Sequence, residues 1–187
     1  MARAITFSRC NISLNTIHKQ YSCAESSLRL YYSQDNPQSA TLFAGYTKQE
    51  LADELQTHIE ELDKATSLSI LASIEASFQI DFHVRANLKM KDDLSRRFRH
   101  IHKQVFKSAN KKLQGVSLER DILRTWQETY PQYKTTISDY ISALKFRHWL
   151  AHGRYWVAQI GKKYDYITLY GLSAHLHSNL PFRLADQ

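Results

Sequence analysis

Between Phe146 and Arg154 the chain reads Phe-Arg-His-Trp-Leu-Ala-His-Gly-Arg. Arg147 carries a guanidinium that can grip a phosphate or carboxylate at two points. His152, five residues on, carries an imidazole able to move a proton near neutral pH. Beside an apolar stripe, this pairing suggests chemistry on a phosphodiester. On a straight helix, five residues at ~100° each set the two side chains about 140° apart. A site that uses both needs a long flexible arginine, an irregularity in the helix, or a second copy of the run from a partner subunit. Ala151 and Gly153 are small and permit a close approach. Arg154, seven residues after Arg147 and nearly on its face, offers a second phosphate contact. Trp149, Tyr155 and Trp156 offer rings on which unpaired bases can stack.

His148 and His152 stand four apart, like the histidines of a zinc helix, but Trp149 occupies the place of the glutamate in H-E-x-x-H and no third ligand follows. His175 and His177 read as polar side chains facing solvent, and His100 and His102 as additional polar or phosphate contacts on a basic helix. Glu75 lies between Leu71 and Phe78 on an apolar helix face, where a carboxylate needs a partner, and Arg147 is the natural one. Asp81, one and a half turns later, is the other acid that could fill that role.

The run resembles the R-x4-6-H signature of the HEPN superfamily, a group of all-helical domains that includes many metal-independent ribonucleases. The likeness extends to Arg147-His148-x-x-Ala151-His152-Gly153, similar to the Arg-Asn-x-x-Ala-His-Gly form of bacterial members, with His148 at the position where Asn, Asp or His is usual. It covers about residues 47–160. The resemblance implies a homodimeric endoribonuclease in which a 2′-hydroxyl attacks the neighbouring phosphate. His152 would act as general base or acid, Arg147 would hold the phosphate, and His148 would orient Arg147 or a phosphate oxygen. Glu75 resembles the acidic residue of an early helix that faces the motif in such domains. The resemblance also implies a toxin or defence effector with an antitoxin or regulatory partner, and no cofactor or metal. The alternative is a non-catalytic HEPN-like module that binds RNA, a nucleotide or a partner protein. A third reading is an all-helical DNA-binding protein that lays its basic helix in a groove.

These residues must be positioned by helices. Thr47 with Glu50 forms a capping box, and Leu51, Leu55, Ile59 and Leu62 continue it as a helix to about Asp63. A second helix is expected over Ser67–Leu88, apolar on two faces and hence central. A third spans Asp92–Leu113, with acids at its start and lysines at its end. Its inner stripe is Leu94, Phe98, Ile101, Val105 and Ala109. A fourth covers Ser117 to about Glu128 and stops before Pro131. Thr136 with Asp139 offers a capping box for a fifth, whose inner face is Ile137, Tyr140, Ile141, Leu144, His148 and Ala151. This helix carries the signature and is expected to run on to about Ile160. Tyr164–Tyr170 alternates roughly with period two, as a short strand or an extended tail.

The expected architecture is all-α: an antiparallel HEPN-like bundle of about five helices over 46–187, with an ill-defined N-terminal extension at 1–45 and a short extended C-terminal tail. The first 24 residues hold Arg3, Arg9 and Lys19 and no acid, yet lack the amphipathic arginine stripe of a transit peptide. Only five Gly and three Pro among 187 residues favour long helices over a turn-rich β fold. No apolar run approaches ~20 residues, so no membrane span is expected. Cys10 and Cys23 form neither a CxxC nor a disulfide framework, which points to a reducing cytoplasm. Residues 89–124 carry eleven Lys or Arg against four Asp or Glu, a surplus equal to the whole chain's net charge of +7. Such a concentration is the footprint of a polyanion-binding face, or else a solvated helix surface; on the first reading Arg96, Arg99, Lys103 and Lys107 are the expected RNA contacts.

Overall fold

The computed structural model describes residues 7–8, 10–88, 90–107, 115–157 and 161–184. Among them every regular element is helical: α1 (Leu14–Tyr31), α2 (Ser39–Leu42), α3 (Lys48–Asn87), α4 (Asp93–Lys107), a π-helical segment (Leu118–Leu123) leading into α5 (Arg124–Thr129), a 3-10 turn (Pro131–Tyr133) leading into α6 (Lys134–Ala151), and α7 (Tyr166–Asn179). The all-helical class expected from composition is therefore found.

The spine is α3. Thr47 and Glu50 make the predicted box: the Glu50 amide donates to Thr47 Oγ1 at 3.2 Å and the Thr47 amide to Glu50 Oε2 at 2.7 Å. The two helices expected over 47–63 and 67–88 are one continuous helix of 40 residues, about 60 Å long. No Gly or Pro interrupts Lys48–Asn87, and Thr66 and Ser67, where a break was expected, are buried. From there on, Ile70, Leu71, Ile74, Phe78 and Phe82 are buried, with α1, α4, α6 and α7 packed around the helix.

Residues 14–31, expected to be without regular order, form α1. Ser13 caps it by accepting from the Thr16 amide at 3.1 Å. Ile17 enters the core, and Tyr21 stacks on Tyr166 with ring centroids 3.8 Å apart while donating to Asp63 at 2.7 Å. The apolar stripe Leu14, Ile17, Tyr21 is narrow and lies in a Ser- and His-rich stretch, so its period is faint in sequence. α4 buries Leu94 and Phe98 as expected, while its extension to Leu113, with Ala109, lies outside the described residues.

At the other end, Tyr166–Asn179 is helical where a strand or tail was expected. Asp165 caps it through the Thr168 amide at 2.9 Å, and Tyr166, Leu169, Ser173 and Leu176 are buried at helical spacing. The extended segment comes later: after Leu180 the chain runs back over the core and seats Phe182 edge-on against Phe78 at 4.9 Å. Asp81 anchors this return. Fully buried, it accepts from Arg85 Nε at 2.7 Å and from the Arg183 amide at 2.6 Å, while Arg85 Nη2 donates to the Pro181 carbonyl at 2.6 Å. Burial pushes the Asp81 carboxyl up to about 6, against the opposing pull of Arg85.

Candidate functional site

The signature sits at the end of α6, and two features set its geometry. The first is rotation. α6 starts at Lys134 directly from the 3-10 turn, so Thr136 and Asp139 lie inside the helix and make no capping box. It buries Ile137, Tyr140, Ala143 and Phe146. Near its C-terminal end the packing partner is Tyr164, whose ring stacks on Phe146 at 5.7 Å, and this turns His148 and Ala151 out to solvent rather than into the core.

The second is termination. α6 ends at Ala151 instead of continuing to Ile160 (residues 158–160 lie outside the described residues). Gly153 takes φ +79°, its amide donates to the Leu150 carbonyl at 3.4 Å, and the Arg154 amide donates to the Trp149 carbonyl at 3.1 Å. These two bonds are the Schellman closure of a helix, which glycine favours because a Cβ is penalised at positive φ. Arg154 also lies at positive φ, +59°. The chain leaves sideways, and Trp149 Nε1 pins the turn by donating to the Trp156 carbonyl at 2.7 Å.

An open cleft of about 880 Å³ results. Glu75 of α3 contributes one wall and Ile141, Leu144, Lys145, Arg147 and His148 of α6 another. Ser117, Leu118 and Glu119, at the start of the π-helical segment, close a third side, and Trp149, Trp156 and Val157 complete it. Arg147 Nη2 lies 2.9 Å from Glu75 Oε2, the pairing that the apolar surroundings of Glu75 suggested. Both side chains keep solvent access, at 37% and 28%. Arg147 Nε is buried without an acceptor, so Glu75 alone does not satisfy the guanidinium fork. Beneath the pair, burial raises the Tyr140 hydroxyl well above its ordinary range, so Tyr140 stays neutral. Asp81 belongs to the C-terminal anchor and not to this site.

His152 is exposed and is not among the residues lining the cleft; it joins the site through His148, whose ring centroid is 4.2 Å from its own. Trp156 continues the ladder, 5.7 Å from His148 and 6.4 Å from His152. The helical separation of Arg147 and His152 is thus bridged by the intervening imidazole. Arg154 is not brought in. With the helix ended it reaches Glu61 of α3 at 2.7 Å, fourteen residues and about 21 Å along that helix from Glu75. That bond, with Lys64, holds Glu61 down at about 2.

The basic residues of α4 form a separate region. Arg96 borders a depression with Arg97 and His100, and Lys103 and Arg99 border another with Asn87. Asn87 lies about 18 Å along α3 from Glu75. Arg99 Nη1 donates to the Met90 carbonyl at 2.6 Å, and the side chain of Lys107 lies outside the described residues. Among the described residues, no group of three or more His, Cys, Asp or Glu side chains could hold a metal ion, and no helix is long and apolar enough to cross a membrane. Sequence reasoning missed Glu119, Ser117 and Lys145 as parts of the cleft. Nothing in their spacing links 117–119 to 145–148, which only the packing of α6 on the π-helical segment brings together.

Comparison with known proteins returns no match: no family model, no curated protein and no solved structure is similar to this chain.

Proposed function

We propose that this protein is an endoribonuclease of HEPN type that cleaves RNA without a metal, acting as a homodimeric toxin or defence effector under the control of an antitoxin or regulatory protein. The observation that carries the reading is the open cleft in which Arg147, held by Glu75 at 2.9 Å, stands beside an exposed His148 whose ring lies against His152. The chemistry needs an anion clamp and two proton-transfer groups. One imidazole takes the proton of a ribose 2′-hydroxyl. The freed oxygen attacks the adjacent phosphorus, the bond from phosphorus to the 5′-oxygen breaks, and the other imidazole protonates the departing oxygen. The products are a 2′,3′-cyclic phosphate and a 5′-hydroxyl, with no net change in protons. Arg147 stabilises the extra negative charge as it develops. Residues 151–155 are exposed, with Tyr155 at 83%, and Val157 beyond them stands at 89%. This surface supports close approach of a second copy, which would bring another His152 to the region. The cationic face of α4 would guide the RNA backbone from outside the cleft.

The rival reading is a non-catalytic module that binds RNA, a nucleotide or a protein. It draws on Glu75, whose carboxylate neutralises Arg147. Incubating the purified protein with total RNA in EDTA, followed by end-group analysis, separates the two. The nuclease reading expects cyclic phosphate and 5′-hydroxyl ends, lost by roughly a hundredfold or more in His152→Ala and Arg147→Ala chains whose helical circular dichroism is unchanged. Absence of cleavage by the unmodified protein, or cleavage that survives both substitutions, overturns it. RNA binding without products and unaffected by either change would favour the rival.

A further inference from the structure

Glu119 is out of place in a cleft built only for phosphate. It lines the same space as Arg147, His148 and Lys145, yet no hydrogen bond or ion pair engages its carboxylate among the described residues. Glu75, by contrast, is bound to Arg147. The exposed Glu119 carboxylate opposes an incoming anion, and a ligand group that donates hydrogen bonds to it would offset that repulsion. The neighbouring Trp156 supplies a flat ring on the cleft, its backbone fixed by the bond from Trp149 to its carbonyl at 2.7 Å. A ring platform, a free carboxylate and a guanidinium in one space of about 880 Å³ match a nucleotide's base face, base edge and phosphate, and the volume lies within the usual range for such ligands.

The edge chemistry then discriminates among bases. A carboxylate accepts best from two adjacent N–H donors. Guanine presents such a pair, N1–H and the N2 amino group. Adenine and cytosine each set a single amino donor beside a ring-nitrogen acceptor, and uracil sets one N–H between two carbonyls, so each places a lone pair against Glu119. Those edges are free only in an unpaired base.

We propose that the cleft selects an unpaired guanine, stacked on Trp156 and read at its N1–H and N2–H edge by Glu119, with its phosphate at Arg147. The inference rests on the reading of this cleft as an RNA site and adds the nucleotide it prefers.

Calorimetric titration of the full chain with the 3′-monophosphates of guanosine, adenosine, cytidine and uridine tests it. Guanosine monophosphate is expected to bind roughly ten- to a hundredfold more tightly than the other three, the range of one lost charge-assisted pair. Glu119→Gln, an exposed substitution that swaps one acceptor oxygen for a donor, should remove that preference and leave the adenosine and cytidine nucleotides bound as well or better. Trp156→Leu should weaken all four alike. Equal binding of the four, failure to bind any, or a guanine preference that survives Glu119→Gln overturns the inference. Cleavage is scored separately. RNA cleaved without base preference leaves the nuclease and removes the guanine site, whereas guanine-selective binding without cleavage removes the nuclease and keeps the site.

Discussion

Replacing Gly153 by alanine probes the device that shapes the whole site. Gly153 stands at φ +79°, and a Cβ built there meets nothing within 4 Å. The cost is therefore one of backbone conformation and not of crowding. Holding an alanine in the left-handed region costs about 1–2 kcal/mol. For a chain of this size, about 2–4 °C of melting temperature is lost per kcal/mol, so Gly153→Ala should lower Tm by roughly 2–8 °C. Asparagine enters the left-handed region more readily than alanine, so Gly153→Asn should lose clearly less. If alanine instead adopts helical φ, α6 gains residues, and both the Arg154 bond to Glu61 and the Trp149 bond to the Trp156 carbonyl are drawn apart. The cleft then opens, and tryptophan emission from Trp149 and Trp156 should shift to the red. Thermal melts by circular dichroism with parallel emission spectra measure both effects. An alanine variant as stable as the parent, or an asparagine variant less stable than the alanine one, refutes the assignment of Gly153 as the helix terminator.

Two further outcomes follow from the ion pairs. Glu75→Gln keeps the shape of the side chain but removes the charge that orients Arg147. Since both partners are partly exposed, stability should fall by only about 1 kcal/mol, whereas RNA cleavage should fall more steeply; a stability loss with cleavage fully retained would show that Glu75 merely supports the fold. Asp81 makes a pH-dependent contribution. Its carboxyl is raised by burial to about 6, above its unfolded value of about 4, so the folded state holds a proton that the unfolded state releases. The stabilisation is fully present below about pH 4 and is lost as pH rises through about 6, up to about 3 kcal/mol in all. Urea unfolding at several pH values should therefore show the parent losing stability relative to Asp81→Asn between pH 4 and 7. A flat or opposite difference would show that Arg85 keeps the carboxylate ionised throughout.

Several elements were legible in the residues because their signals are local. The capping box at Thr47, the stop before Pro131 and the apolar stripe of α4 each rest on contacts within one or two turns, which sequence spacing encodes directly. The Glu75–Arg147 pair was legible for a related reason: a carboxylate on an apolar helix face must find a cation, and few candidates lay on the facing helix. The end of α6 was written in the sequence as well. Gly153 is the residue expected just past a helix C-terminus, and the Schellman closure there ends the helix that was expected to run on to about Ile160.

The remainder depended on partners distant in the chain. Whether Thr66 breaks α3 or is buried in it is decided by the elements packed beside it, since the local propensity permits either. Tyr164 to Tyr170 alternates as a strand would, yet Tyr166 and Leu169 meet α1 and the core at helical spacing. The rotation of α6 that exposes His148 follows from the stacking of Phe146 on Tyr164. By itself, the sequence determined which groups could do chemistry, because side-chain identity sets charge, proton affinity and hydrogen-bonding capacity. Only the tertiary structure decided that Arg147, His148, Glu119 and Trp156 share one cleft while the Arg154 side chain is taken up by Glu61, about 21 Å along α3 from Glu75, because burial of apolar surface sets how helices rotate and pack against one another.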